Sequence, residues 1–229
     1  DNRIGLWDVT TGAQIRVFTG HTCPIYSLAF SPDGSKVLSG SRHYNYGIDN
    51  TVMLWDTATG ALISNLPGHI GSVYSAVFSP DGSKILTGSE DKTVKLWDAT
   101  TGKVIRTFSG HTASVNSVAF SPNGSQVLTG SIDQTAKLWD AATGALIRTF
   151  NFKADSYHTF TLSSVAFSPD GSKVLIGSGG TTNFLGTIYR YGDAAILDAV
   201  TGAEIRTFSG HSDTVHSAAF SPDGNKILT

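Results

Sequence analysis

Short runs of alternating apolar and polar residues follow one another along the chain and are separated by turn-forming residues. In SVNSVAF (residues 114–120) and KVIRTF (residues 103–108), β-branched and aromatic side chains are mixed with polar ones, which is typical of short strands. The intervening SPDG and ATTG segments combine Pro, Asp, Thr and Gly, which favour tight turns. The spacing leaves no room for a helix, so the pattern predicts an all-β chain.

The same strands and turns recur in units of about 42 residues. Within one unit the pattern predicts four strands, a to d, at Val115–Phe120, Gln126–Gly130, Thr135–Trp139 and Leu146–Phe150. The segment FSPDG or FSPNG marks the turn between strands a and b five times, beginning at Phe30, Phe78, Phe120, Phe167 and Phe220. The chain is therefore predicted to be an array of repeated four-stranded units.

Two dipeptides mark each regular unit. Gly-His precedes strand a at residues 20, 68, 110 and 210, and Trp-Asp ends strand c at residues 7, 55, 97 and 139. Four-stranded units with this period and these two dipeptides resemble the WD-repeat β-propeller family. The resemblance covers essentially the whole chain. It implies a disc of four-stranded antiparallel blades that binds other proteins on one face.

The two chain ends fall inside a repeat. The sequence begins with strands c and d and ends with strands a and b, and Thr229 and Asp1 match Thr87 and Asp91 of an intact unit. We therefore predict one domain over residues 1–229, a five-bladed propeller whose last blade is built from both ends. Such pairing would remove two exposed strand edges. A monomer is expected, but a piece of a longer array and an end-swapped oligomer remain open alternatives.

Each regular repeat also carries a His, a Ser or Thr, an Asp and a Trp in fixed order. A Ser-His-Asp set suggests a hydrolase, but a catalytic site is needed once, whereas this set recurs in four repeats. The resemblance implies a buried hydrogen-bond relay instead. We therefore predict no enzyme, no cofactor and no metal. The four sets are His69, Thr87, Asp91 and Trp97; His111, Thr129, Asp133 and Trp139; His21, Ser39, Asp49 and Trp55; and His211, Thr229, Asp1 and Trp7.

The fourth complete repeat departs from this set. His158 keeps its position, but Ile176 replaces the Thr, Tyr191 falls where the Asp belongs, and Leu197 replaces the Trp. The relay is therefore predicted to be lost in this repeat. Two explanations are open, neutral decay of one blade or remodelling of its upper end for binding.

Three insertions interrupt the repeat, at Arg42–Gly47, within residues 151–157 and within residues 178–192. In an antiparallel a-b-c-d sheet, the b–c turns and the crossovers to the next strand a lie at one end, so all three insertions project from one face, which we call the top face. Tyr, Arg and His are typical of interface hot spots. The predicted partner-binding residues are Tyr26, Arg42, His43, Tyr44, Tyr46, Tyr74, Tyr157, Phe184, Tyr189, Arg190 and His216.

Composition narrows the classes of partner. The net charge is −2 with no block of like charge, so neither nucleic acid nor a membrane is expected as a partner. Cys23 is the single cysteine, which favours a reducing, cytoplasmic location. No apolar run approaches the ~20 residues that span a bilayer.

The leading functional hypothesis is a scaffold that binds an unidentified protein or peptide on the top face. By analogy, near-identical repeats suggest the recognition domain of a larger signalling or defence protein. The alternative is a carbohydrate or small-ligand binder, in which Tyr and Phe beside Asn45, Asn183 and Asp193 stack on sugar rings.

Overall fold

A computed structural model describes residues 2–42, 50–151, 158–184 and 187–229, with side chains left undescribed at residues 158–160, 182–184 and 187–189. Every helix or strand assigned in these ranges is a β-strand. The strands form four antiparallel sheets of four strands, blades 1 to 4, and two sheets of two strands. This confirms the predicted all-β architecture of four-stranded blades. Across the described ranges, the protein has no helical segment with the length and apolar character that crossing a bilayer requires.

Strands follow one another in chain order within each sheet. The N-terminal half-blade contains β1 (Arg3–Trp7) and β2 (Gln14–Thr19). Blade 1 contains β3 (Ile25–Phe30), β4 (Lys36–Ser41), β5 (Val52–Asp56) and β6 (Leu62–Leu66). Blade 2 contains β7 (Val73–Phe78), β8 (Lys84–Ser89), β9 (Thr93–Asp98) and β10 (Val104–Ser109). Blade 3 contains β11 (Val115–Phe120), β12 (Gln126–Ser131), β13 (Thr135–Asp140) and β14 (Leu146–Asn151). Blade 4 contains β15 (His158–Phe167), β16 (Lys173–Phe184), β17 (Thr187–Asp198) and β18 (Glu204–His211). The C-terminal half-blade contains β19 (Ala219–Phe220) and β20 (Ile227–Leu228).

The SPDG segments form the predicted a–b turns. In blade 2 the Ser79 hydroxyl donates to the Asp81 carboxylate at 2.5 Å, and the Ser83 N–H donates to the same oxygen at 3.0 Å. Gly82 closes the turn with a φ of 70°, which glycine adopts without strain. These hydrogen bonds, led by that of Ser79, hold the pKa of Asp81 well below its usual range. The turn is thus fixed by its own side chains.

The core lies between neighbouring blades. Strand b is the most buried strand, and its leucine is fully buried in all four blades, at Leu38, Leu86, Leu128 and Leu175. Between blades 1 and 2, Leu38 and Leu54 pack against Ala76, Ile85 and Trp97. Each such leucine contributes about 2 kcal/mol of hydrophobic burial. A blade is therefore stabilised largely by the blade beside it.

A serine in strand a ties adjacent blades together. The Ser27 hydroxyl accepts a hydrogen bond from the Ala76 N–H at 2.8 Å. Equivalent bonds join the next three pairs of repeats, from Val118 to Ser75, from Val165 to Ser117 and from Ala218 to Ser164. These contacts place the innermost strands of all five repeats side by side.

The chain ends do not pair as predicted. β1–β2 and β19–β20 remain separate two-stranded sheets, and no ladder joins β20 to β1 in the described part of the chain. Leu228, which matches the buried strand-b leucines, is 78% exposed. Trp7 of β1 and Leu28 of β3 are also exposed, at 56% and 55%.

The insertion within residues 178–192 forms strands in blade 4, whereas the sequence analysis treated it only as an insertion on the top face, and most of the insertion within residues 151–157 lies outside the described residues. β16 and β17 stay paired from Lys173↔Asp198 to Phe184↔Thr187, and β15 joins them with His158 opposite Thr182. The result is a three-stranded extension, the arm, made of residues 158–161, 179–184 and 187–192. Thr, Ile and Tyr in the segment TIYRY favour this extended conformation.

Candidate partner-binding site

The predicted relay is present in blade 2. His69 lies 2.8 Å from Asp91 through Nδ1 and 2.7 Å from the Thr87 hydroxyl through Nε2. The Trp97 indole N–H donates to the same hydroxyl at 2.8 Å. A carboxylate can only accept, so Nδ1 donates to Asp91, and in the neutral imidazole Nε2 then accepts from Thr87. The relay therefore joins strand b, strand c and the segment that enters strand a.

Blade 3 repeats this geometry. His111 lies 2.9 Å from Asp133 and 2.7 Å from Thr129, and Trp139 donates to Thr129 at 3.1 Å. Burial lowers the pKa of His111, and Asp133 only partly opposes the effect. Burial alone would raise the pKa of Asp133, but hydrogen bonds, first from the Thr135 hydroxyl, hold it below its usual value. Both shifts favour a neutral imidazole beside an ionised carboxylate.

In blade 1 and in the C-terminal half-blade, the described residues contain only part of the predicted relay. In blade 1, His21 and Trp55 both contact the Ser39 hydroxyl, at 2.7 and 2.8 Å, while Asp49 lies outside the described residues. In the C-terminal half-blade, His211 still contacts Thr229 at 2.7 Å, but both residues are exposed. Asp1 also lies outside the described residues.

In blade 4, two of the three predicted replacements in the relay are apolar and buried, whereas Tyr191 is only partly buried. Ile176 and Leu197 both belong to the core cluster between blades 3 and 4. This blade therefore exchanges buried hydrogen bonds for apolar packing at the Thr and Trp positions.

A pocket of about 300 Å³ opens at the centre of the top face. Each of the five repeats contributes one side chain, always from the second position of strand a or its equivalent. The pocket is lined by five side chains, which together we call the ring: Tyr26, Tyr74, Asn116, Ser163 and His216. These positions meet because the innermost strands lie side by side, so their second residues share one end of the disc.

Arg42 packs on the aromatic side of this pocket. Its Nη1 donates to the Tyr26 hydroxyl at 2.8 Å. Its guanidinium carbon lies 5.1 Å from the ring centroid of Tyr26 and 5.9 Å from that of Tyr74, within cation–π range. The two rings meet edge to face, with their centroids 6.4 Å apart. The hydrogen bond to Tyr26 raises the pKa of Arg42.

The small polar side chains of the ring are held by the backbone. Asn116 Nδ2 donates to the Leu162 carbonyl at 3.2 Å, and the Ser163 hydroxyl donates to the Val215 and Gly177 carbonyls. The pocket thus has an aromatic, cationic side and a small, polar side.

Arg190, on the arm, forms an ion pair of 3.0 Å with Asp213. Both side chains are exposed. The arm approaches this segment closely at Gly192, where an added Cβ would lie 2.2 Å from the Asp213 carbonyl oxygen. The Thr214 N–H and then Arg190 lower the pKa of Asp213. Arg190 is thus engaged beside the central pocket and is not among its lining residues.

The structure brings together four of the eleven predicted site residues, Tyr26, Tyr74, His216 and Arg42. Phe184 and Tyr189 lie on arm strands, but their side chains are not described. Predicted residues His43, Tyr44, Tyr46 and Tyr157 lie outside the described ranges. Asn116 and Ser163 were missed because the sequence analysis selected aromatic and charged residues. Their shared strand-a position with Tyr26 was the signal that could have identified them.

The described residues contain no grouping of three or more His, Cys, Asp or Glu side chains that could hold a metal ion.

Comparison with known proteins gives two findings. A family model described as "WD domain, G-beta repeat" (WD40) matches residues 12–56, 60–98, 102–140, 145–184 and 202–229. A stretch of 41 residues, 18% of this chain, is 46% identical to guanine nucleotide-binding protein subunit beta-1 of Caenorhabditis briggsae. That stretch covers 12% of the worm protein, so the chain is similar to a small part of it.

Proposed function

This chain belongs to the WD40 family of WD-domain, G-beta repeats, and on that premise we propose that it binds a protein or peptide partner through the top face. The family is generally one of non-catalytic scaffolds, and the worm protein that it partly matches is named as a subunit. Both points support a protein-interaction role.

One observation carries the proposal. Five equivalent positions, one in each repeat, line a single pocket, yet they hold Tyr, Tyr, Asn, Ser and His. A position that only supported the blade would hold the same residue in each repeat, as the strand-b leucine does. Tyr26 and Tyr74 supply apolar area with a polar group, and Arg42 adds a charge, a combination that is enriched at interface hot spots.

The relay supports a non-catalytic role. In blade 2 the side chains of His69 and Asp91 are almost fully buried, and the Thr87 hydroxyl already contacts both His69 and Trp97. A substrate would have to enter the packed blade to reach this hydroxyl. The same arrangement in blade 3 argues for a structural function, because catalysis needs one such set.

The carbohydrate alternative is less well supported by the geometry. Sugar binding would use exposed aromatic faces as stacking platforms. The guanidinium of Arg42 already lies over the rings of Tyr26 and Tyr74. The pocket tyrosines therefore favour a polypeptide partner. If free sugars competed with the protein partner for binding, the carbohydrate alternative would be favoured instead.

The proposal is tested with a variant that removes the aromatic side of the pocket. Tyr26→Ser/Tyr74→Ser introduces the residue that Ser163 already places in the same ring. The matched control, Ile105→Ser/Ile147→Ser, removes exposed apolar area from the outer strands β10 and β14. Wild type and both variants serve as baits, with retained proteins quantified by mass spectrometry.

We expect proteins that bind specifically to wild type to be retained by the control and lost from the Tyr26→Ser/Tyr74→Ser variant. Equal retention by all three baits would exclude the central pocket as the binding surface.

A further inference from the structure

We propose that the central pocket recognises an acidic side chain of the partner, with Arg42 as the cation that pairs with its carboxylate. This inference rests on the proposed function and adds a ligand class to it. The pocket of about 300 Å³ is large enough for one side chain to enter at the centre of the disc.

Arg42 is held in place before any ligand binds. The Tyr26 hydroxyl and the rings of Tyr26 and Tyr74 fix the guanidinium, and the Arg42 N–H donates to the Pro24 carbonyl at 2.9 Å. A guanidinium has five N–H donors and pairs well with planar carboxylates. Because the side chain is already ordered, pairing with a ligand costs less conformational entropy.

The neighbouring acidic groups have other partners. The Glu90 carboxylate accepts hydrogen bonds from the Ser72 hydroxyl at 2.6 Å and from the Ser72 N–H at 3.3 Å. Asp213 pairs with Arg190. Glu90 acts electrostatically on Arg42, but less strongly than Tyr26 does. Among the described residues no carboxylate forms an ion pair with Arg42. The described part of the chain therefore places an ordered cation beside a pocket and shows no carboxylate paired with it.

The other groups on this side are suited to the same ligand. Tyr26 accepts from Arg42, so its own hydroxyl proton is available to a further acceptor. His216 lines the pocket and offers an imidazole N–H. A lysine or arginine of the partner would instead face the charge of Arg42. The arrangement thus favours an acidic side chain over a basic one.

The test uses a library of random, unphosphorylated 12-residue peptides passed over the immobilised full chain, with retained peptides sequenced by mass spectrometry. We expect Asp and Glu to be enriched over Asn and Gln at one position of the retained peptides. The most enriched peptide is then synthesised with Glu or Gln at that position. Binding is measured by fluorescence anisotropy.

Wild type should bind the Glu peptide about tenfold or more tightly than the Gln peptide, because a charge-assisted hydrogen bond is lost. In Arg42→Gln the difference should shrink to about twofold or less. Lys103→Gln removes an exposed charge from the opposite face and should keep the wild-type difference. Arg42→Lys, which keeps the charge without the planar guanidinium, should retain part of the difference in affinity between the Glu and Gln peptides. Matching thermal unfolding midpoints show that the variants are folded.

Three outcomes would overturn the proposal. These are no enrichment of acidic residues, no retention of any peptide, and a Glu preference that survives in Arg42→Gln. Peptides retained without acidic preference would leave top-face binding standing, because that function is tested separately with the Tyr26→Ser/Tyr74→Ser bait.

Discussion

The relay inside the blades and the ring around the central pocket occupy fixed positions of the same repeat, but they behave oppositely. In blades 2 and 3 the His-to-hydroxyl distance is 2.7 Å in both, and the same four residue types recur. In the ring, no more than two repeats share a residue type, and the side chains face a pocket. Within one chain, a position that holds the same residue type in successive repeats supports the blade, whereas a position whose residue type differs between repeats is free to contact a ligand.

The largest difference in the free energy of unfolding is expected between variants of two aromatic residues of blade 2. Trp97 is fully buried, so Trp97→Ala should lower the free energy of unfolding by about 3–5 kcal/mol. Tyr74, on the pocket, is partly exposed, so Tyr74→Ala should cost about 1 kcal/mol. Urea denaturation of both variants measures the difference. Equal losses would remove the distinction between scaffold and ring.

A reciprocal exchange tests the relay hydroxyl. Thr87→Val leaves the Trp97 N–H without its acceptor and should cost about 2 kcal/mol. Ile176→Thr places a hydroxyl in the apolar core of blade 4 and should also cost about 2 kcal/mol. Urea denaturation of both variants measures whether each blade is destabilised by the residue type that the other blade carries at this position. A neutral Ile176→Thr variant would contradict the apolar replacement of the relay.

Acidification should weaken the scaffold through His111. Its pKa in the folded chain lies below the ordinary 6.5, so the unfolded chain binds more protons there as the pH falls. The stabilisation is present above pH 6.5 and is lost as the pH falls toward the folded pKa. The lowered pKa of Asp133 contributes above about pH 4 and is lost below it.

Urea midpoints measured from pH 7.5 to 5.5 check this effect. The decrease should be smaller in His111→Asn, which has no titrating group at this position. A variant with the same slope as wild type would show that His111 does not cause the decrease.

The smallest effect on stability is expected in the ring. Asn116→Tyr should change the free energy of unfolding by about 0.5–1 kcal/mol, because the side chain borders an open pocket and gives up one hydrogen bond, to the Leu162 carbonyl. It should nevertheless weaken partner binding, because a third tyrosine would occupy space in the pocket. Unfolding curves and partner retention are compared in the same preparation. A large loss of stability would mean that this position also supports the blade.

The sequence predicted the regular blades well because each strand is bounded by its own turn residues. Strand a of blade 3 was predicted at its observed bounds, and the relay partners of His69 and His111 were all anticipated. The pairing of the two chain ends was predicted from repeat phase alone, and no such ladder is found among the described residues, because phase shows which strands could pair but not whether they do.

The arm and the small ring residues were less visible in the sequence. The arm strands depend on pairing across an insertion, which no repeat describes. Asn116 and Ser163 carry no distinctive chemistry, and they enter the site through their location alone.

Partner binding and unfolding, measured side by side for two double variants, test the central claim most directly. The ring variant is Tyr26→Ser/Tyr74→Ser, and the relay variant is Thr87→Val/Thr129→Val. We predict that the ring variant unfolds near the wild-type midpoint but binds the partner about tenfold or more weakly. The relay variant should unfold earlier and, while folded, bind like wild type. A ring variant that binds its partner with wild-type affinity would contradict the account.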